Sequence, residues 1–121
     1  MSKQPSDYSE GWGELIRAHR FFMGISQRTL ADKLKMGERS LSDIEVGRRS
    51  CPPGFLSSVE LVADEFDKDV EKAVSYAAKA DAGDDGLVPM PVSDAPEKEW
   101  QRAVIGRAAV ETGTIMPTLI G

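Results

Sequence analysis

Hydrophobic positions recur along much of this chain at helical spacing, and the breaks in that spacing mark out its elements. From Trp12 to Phe22 the residues Trp12, Leu15, Ile16, His19 and Phe22 share one face of a helix that Gly24 ends. Leu30, Ala31 and Leu34 predict a second helix over about 27–34, with Ser26 as its cap. Leu41 and Ile44 predict a third over about 38–46, beginning at Gly37 or Glu38 and stopped by Gly47. After a loop holding Pro52 and Pro53, the run Phe55, Val59, Val62, Phe66, Val70, Ala73, Ala77, Ala80 predicts helix through 55–80. That stretch is either one long element or two joined by a bend near 63–67.

The acidic punctuation at 81–86 interrupts the helical spacing. Leu87 to Val92 is apolar but alternates with Pro89 and Pro91, which excludes an interior antiparallel strand and leaves an edge strand or a polyproline-like segment. Asp94 is placed to cap a last helix starting near Pro96, with Glu97 three residues beyond the cap. Trp100, Val104, Ile105 and Ala108 form its buried side, Gly113 ends it, and Thr114 to Ile120 is strand-like. The fold class expected is therefore mainly α, with a small α or α+β C-terminal region.

Charge sharpens the division. Residues 1–62 hold nine Lys or Arg against eight Asp or Glu, and residues 63–121 six against twelve, so a near-neutral first half (+1) precedes an acidic second half (−6). One cysteine, Cys51, permits no intrachain disulfide, and with one histidine, His19, no structural metal site or cofactor is expected. No apolar run reaches membrane-spanning length, so no membrane association and a reducing cytoplasmic setting are expected. Cys51 stands near Arg48 and Arg49, which favours a lowered thiol pKa, but without a second histidine or a phosphate-binding glycine loop no enzyme is predicted.

The residues Leu15-Ile16-Arg17, Ile25-Ser26-Gln27, Leu30-Ala31, Leu34, Met36-Gly37, Leu41-Ser42, Ile44-Glu45 and Gly47-Arg48-Arg49 together resemble the helix-turn-helix domains of lambda-repressor-like (XRE family) phage repressors. The resemblance covers about residues 11–66, behind a flexible arm at 1–10. It departs at Lys35, where such domains commonly place Gly; lysine lacks easy access to positive φ, so either local strain or a different turn is expected. A second, looser resemblance is to small helix-turn-helix regulators with a C-terminal dimerisation part, including anti-CRISPR-associated and antitoxin-like autorepressors. It rests on the helix region from Pro52 to Ala80 and the terminal helix around Val104-Ile105-Gly106. It implies that 67–121 is a dimerisation region, for which Val70, Val74, Trp100, Val104 and Ile105 are the candidates.

The first resemblance implies that the third helix enters a DNA major groove. Its reading candidates are Glu38, Arg39, Ser42 and Asp43. Arg39 is the leading one, since a guanidinium fork on guanine O6 and N7 contributes about 1–3 kcal/mol of discrimination. Glu38 either accepts from cytosine N4 or favours the helix's positive end. Asp43 either reads a base or pairs with Arg39 one turn away. Backbone candidates are Gln27, which in the family braces the reading helix, together with Arg28, Lys33, Ser40, Arg48 and Arg49; Lys3 on the arm is a further base. Glu45 is expected to pair with Arg17 or Arg20.

The function expected is a sequence-specific double-stranded DNA-binding transcriptional repressor, a homodimer on a palindromic operator, with repression of its own operon as one form. The alternative is an antitoxin or adaptor that binds a protein partner through the acidic half.

Overall fold

The computed structural model describes residues 5–120, with side chains from residue 12 onward. It is mainly helical with one small sheet: α1 Pro5–Met23, α2 Gln27–Leu34, α3 Glu38–Glu45, α4 Phe55–Lys79, β1 Val88–Ser93, a 3₁₀ turn Pro96–Lys98, α5 Glu99–Thr112 and β2 Ile115–Ile120. Two units divide between Asp64 and Glu65, inside α4, which is assigned as one helix from Phe55 to Lys79.

In the first unit Ile16, Met23, Ile25, Leu30, Leu41, Ile44 and Val59 are buried. α1 starts at Pro5, so helix takes in residues 5–10 of the expected arm; Pro is well suited to a first helical position, where no N–H partner is needed. Residues 1–4, Lys3 among them, lie outside the described residues. The buried face of α1 also differs from the apolar reading. Leu15 and Phe22 are exposed, whereas Gly13, Ile16, Arg20 and Met23 face inward. The reason is steric and electrostatic together. A Cβ on Gly13 would stand 2.5 Å from the Ile44 carbonyl oxygen and 2.7 Å from that of Glu45, so the absence of a side chain lets α1 lie against the end of α3.

α2 is capped as its sequence predicts: Ser26 Oγ accepts from the Thr29 N–H. The helix ends in a Schellman pattern, with the Lys35 N–H donating to Asp32 O and the Met36 N–H to Ala31 O. This requires Lys35 to adopt φ 59° and ψ 48°, the left-handed conformation that Gly24 and Gly47 supply at the ends of α1 and α3. Of the two outcomes left open for this turn, the usual geometry has been kept and the strain accepted.

In the second unit Phe66, Val70, Ala73, Ala77, Val88, Val92, Val104, Ala108 and Ile115 are buried. Phe66 meets Trp100 edge to face at 5.2 Å, and the Trp100 indole N–H donates to Asp69 Oδ2 at 2.8 Å. β1 and β2 pair in parallel, from Val88 opposite Ile115 to Ser93 opposite Ile120, with α5 as the crossover. Asp94 does not cap the last helix. Because a residue before proline is held out of the helical region, Ala95 (ψ 135°) is the last non-helical position, one residue later than expected. Its N–H is taken by Ser93 Oγ, and α5 proper begins at Glu99.

Candidate nucleic-acid interface

The outer side of the α2–turn–α3 unit is shaped by its inner side. Leu41 and Ile44 are buried, which turns Glu38, Arg39, Ser42 and Asp43 outward along α3. Gln27, at the first position of α2, and Arg48, beyond the Gly47 turn, approach the same surface. These six side chains line one shallow concavity of about 390 Å³. All four reading candidates and two of the six backbone candidates thus converge. Arg28 and Arg49 are exposed outside it, while Lys33 and Ser40 are half-buried outside it.

Beneath the concavity lies a buried polar anchor. Arg20 donates from Nε to Glu45 Oε2 and from Nη2 to Glu45 Oε1, both at 2.9 Å, and from Nη1 to the Ile25 carbonyl at 3.2 Å. Gln27 Nε2 donates to the same Glu45 Oε1 at 3.2 Å. Glu45 therefore ties α1, the start of α2 and the end of α3 to one carboxylate, and Arg20 rather than Arg17 is its partner. Arg17 lies instead beside Glu14, at 3.8 Å, and over the Phe21 ring. The bracing role implied for Gln27 has a physical basis in this bond, which holds its amide at the rim of the concavity.

Asp43 does not pair with Arg39. It accepts from Arg48 Nη1 at 2.9 Å, because the Gly47 turn folds the chain back so that the Arg48 and Arg49 amides both donate to the Asp43 carbonyl. Arg39 is left exposed, with no ion pair among the described residues. Arg48 carries a 70% exposed side chain, so its bond to Asp43 is a surface pair that a phosphate can displace.

Two features of this surface differ from the expectation: Gly13 supports the end of α3, and Asp43 pairs with Arg48 and not with Arg39. A glycine three residues before buried Ile16, on the same helical face, is the signal that was available for the first; nothing short of the turn geometry carries the second. Burial pushes the Cys51 thiol up from its ordinary value, against the lowered pKa expected from its arginine neighbours.

The dimerisation candidates divide. Val70 and Val104 are buried in their own unit's core and have little left to offer a second subunit, whereas Val74, Trp100 and Ile105 are half-buried. An apolar stripe identifies burial without identifying what does the burying. Among the described residues no group of three His, Cys, Asp or Glu side chains is placed to hold a metal, and no helix is long and apolar enough to cross a membrane.

Compared with known protein families, curated proteins and solved structures, the chain matches none. What is established is a mainly helical chain with a two-stranded parallel sheet.

Proposed function

We propose that this chain is a sequence-specific double-stranded DNA-binding regulator of the lambda-repressor-like helix-turn-helix kind, acting in the cytoplasm as a homodimeric transcriptional repressor on a palindromic operator. The observation that carries the reading is the convergence of Gln27, Glu38, Arg39, Ser42, Asp43 and Arg48 on one concave surface along α3. Residues near the N-terminal end of such a helix are the ones that reach base edges in a major groove. Arg39, exposed and in no ion pair among the described residues, supplies guanine recognition. Arg28, Arg48 and Arg49 supply phosphate contacts, with Gln27 fixed by Glu45 as a docking group. The acidic second half keeps non-specific attraction to DNA low. We assign the chain no catalytic role and no cofactor.

Selection of bound duplexes from a random pool, followed by footprinting, tests this. The expected result is an enriched motif of two inverted half-sites, about 34 Å or a multiple apart. Folded protein that enriches nothing would overturn the reading and favour the alternative of an adaptor or antitoxin, whose support is the net charge of −6 over residues 63–121.

A further inference from the structure

Among the described residues the sheet of the second unit is covered on one face only, the one toward α5. Val88, Val92 and Ile115 are buried on the α5 side, while Pro89, Pro91, Met116, Thr118 and Ile120 on the other face are exposed. Parallel strands are ordinarily covered on both faces, and two strands alone are marginal in water.

One hydrogen bond determines which backbone groups are spare. The Val88 N–H donates to Thr114 O at 2.8 Å. Backbone groups alternate sides along a strand, so Val88, Met90 and Val92 turn theirs toward β2, while Pro89, Pro91 and Ser93 turn outward. On β2 the register turns Met116, Thr118 and Ile120 toward β1, and Ile115, Pro117 and Leu119 outward. The free edge of β1 thus has proline, without an N–H, at two of its three outward positions. The free edge of β2 keeps the donors of Ile115 and Leu119, so strand addition is favoured on β2.

The residues of β2 also select the occupant. About Thr118 the exposed run is symmetric, with Pro117 balanced by Leu119 and Met116 by Ile120. Two antiparallel copies related by a two-fold axis at Thr118 set Met116 opposite Ile120 of the second copy, and Pro117 opposite Leu119 of the second copy, in both directions. Each Leu119 N–H then donates to a Pro117 carbonyl across the axis; the donor that Pro117 lacks is the one bond this register forgoes on each side. Thr114 to Ile120 carries no charge, whereas residues 63–121 carry net −6. The strand therefore brings no like charges together between two copies, and it offers a basic foreign partner no counter-charge.

We propose that β2 is the contact between two copies of this chain, which join their sheets edge to edge in the order β1-β2-β2-β1. The inference rests on the dimeric part of the proposed function and not on its DNA part.

Two full-length variants test it without DNA. A non-hydrogen-bonded antiparallel pair places its Cα atoms about 4.5 Å apart, within disulfide reach. In a Cys51→Ser background, Thr118→Cys is expected to form a covalent dimer under mild oxidation, and the exposed control Ser57→Cys is not. Leu119→Pro removes the donated N–H on the outward side only, as Pro117 already does. It is expected to raise the dimer dissociation constant in sedimentation about tenfold or more, while Leu119→Val leaves it unchanged. A wild-type monomer, or a dimer that fails to cross-link at 118, overturns the proposal; should Leu119→Pro not fold by circular dichroism, the cross-link decides. Cross-linking at 118 without any selected DNA motif would sustain this contact and remove the DNA reading, and a selected motif with a monomeric chain would do the reverse.

Discussion

Arg20 and Glu45, twenty-five residues apart in sequence, meet through two parallel hydrogen bonds of 2.9 Å, with both side chains almost wholly buried. A bidentate guanidinium–carboxylate pair is the form in which two charges are best kept out of water. Its value is asymmetric, however. Each partner is costly to bury alone, so breaking the pair costs more than making it contributes.

Glu45→Ala is therefore expected to destabilise the first unit by about 3–5 kcal/mol in urea unfolding. It strands the guanidinium and releases the Gln27 amide in the same step. The double variant Arg20→Met with Glu45→Leu is expected to lose much less than the sum of the two single changes, because no charge is left unpaired. Additive losses would show that the two residues are not coupled.

At Gly13 two effects oppose each other. Replacing a helical glycine by alanine ordinarily gains about 0.5–1 kcal/mol. Here the added Cβ stands 2.5 Å from a backbone oxygen that no rotamer can move aside. Gly13→Ala is thus expected to destabilise by about 1–3 kcal/mol, the range of overpacked cores. A thermal midpoint at or above wild type would contradict the close approach of α1 to α3.

Lys35 offers the opposite sign. Its left-handed conformation costs a non-glycine residue about 1–2 kcal/mol, part of which glycine returns as backbone entropy in the unfolded chain. The side chain is exposed, and the turn's hydrogen bonds use only main-chain atoms. Lys35→Gly is expected to raise stability by about 0.5–1 kcal/mol in urea unfolding without changing the fold seen by circular dichroism.

These positions show what was legible in the sequence. The α2–turn–α3 unit was readable because its signals are local: the Ser26 cap, the spacing of Leu30 and Leu34 and of Leu41 and Ile44, and the stop at Gly47. The strands at Leu87–Val92 and Thr114–Ile120 were readable as extended, but their parallel pairing depends on how α5 carries the chain back. The buried face of α1 is not legible from hydrophobic spacing, because its stripe contains a glycine and an arginine, which no hydrophobic pattern includes. Val70 and Val104 were readable as buried, though their neighbours were not.

The Cys51 thiol gives a pH prediction. Burial holds its pKa above the ordinary thiol value, so the neutral form is the one that the fold favours. That contribution is complete below the unfolded thiol's pKa and is lost as pH rises through the higher folded one. Alkylation of the native chain near neutral pH is expected to be slower than in urea, with the difference narrowing in alkali. Faster labelling of the native form would indicate an activated thiolate.

Arg39 and Arg28 separate recognition from attraction. Both are exposed, but Arg39 lines the concavity on α3 while Arg28 lies outside it on α2. A side chain that reads a base contributes differently to matched and scrambled duplexes; one that meets a phosphate contributes equally to both. Arg39→Ala is expected to weaken binding to the selected duplex by about 1–3 kcal/mol and to erode its preference over a scrambled one. Arg28→Ala is expected to weaken both together and to lower the salt dependence by about one released counterion. Titrations of the two variants on both duplexes, at two salt concentrations, measure all four quantities. Equal losses for Arg39→Ala on both duplexes would remove it from the reading surface and leave Glu38, Ser42 and Asp43 to carry sequence preference.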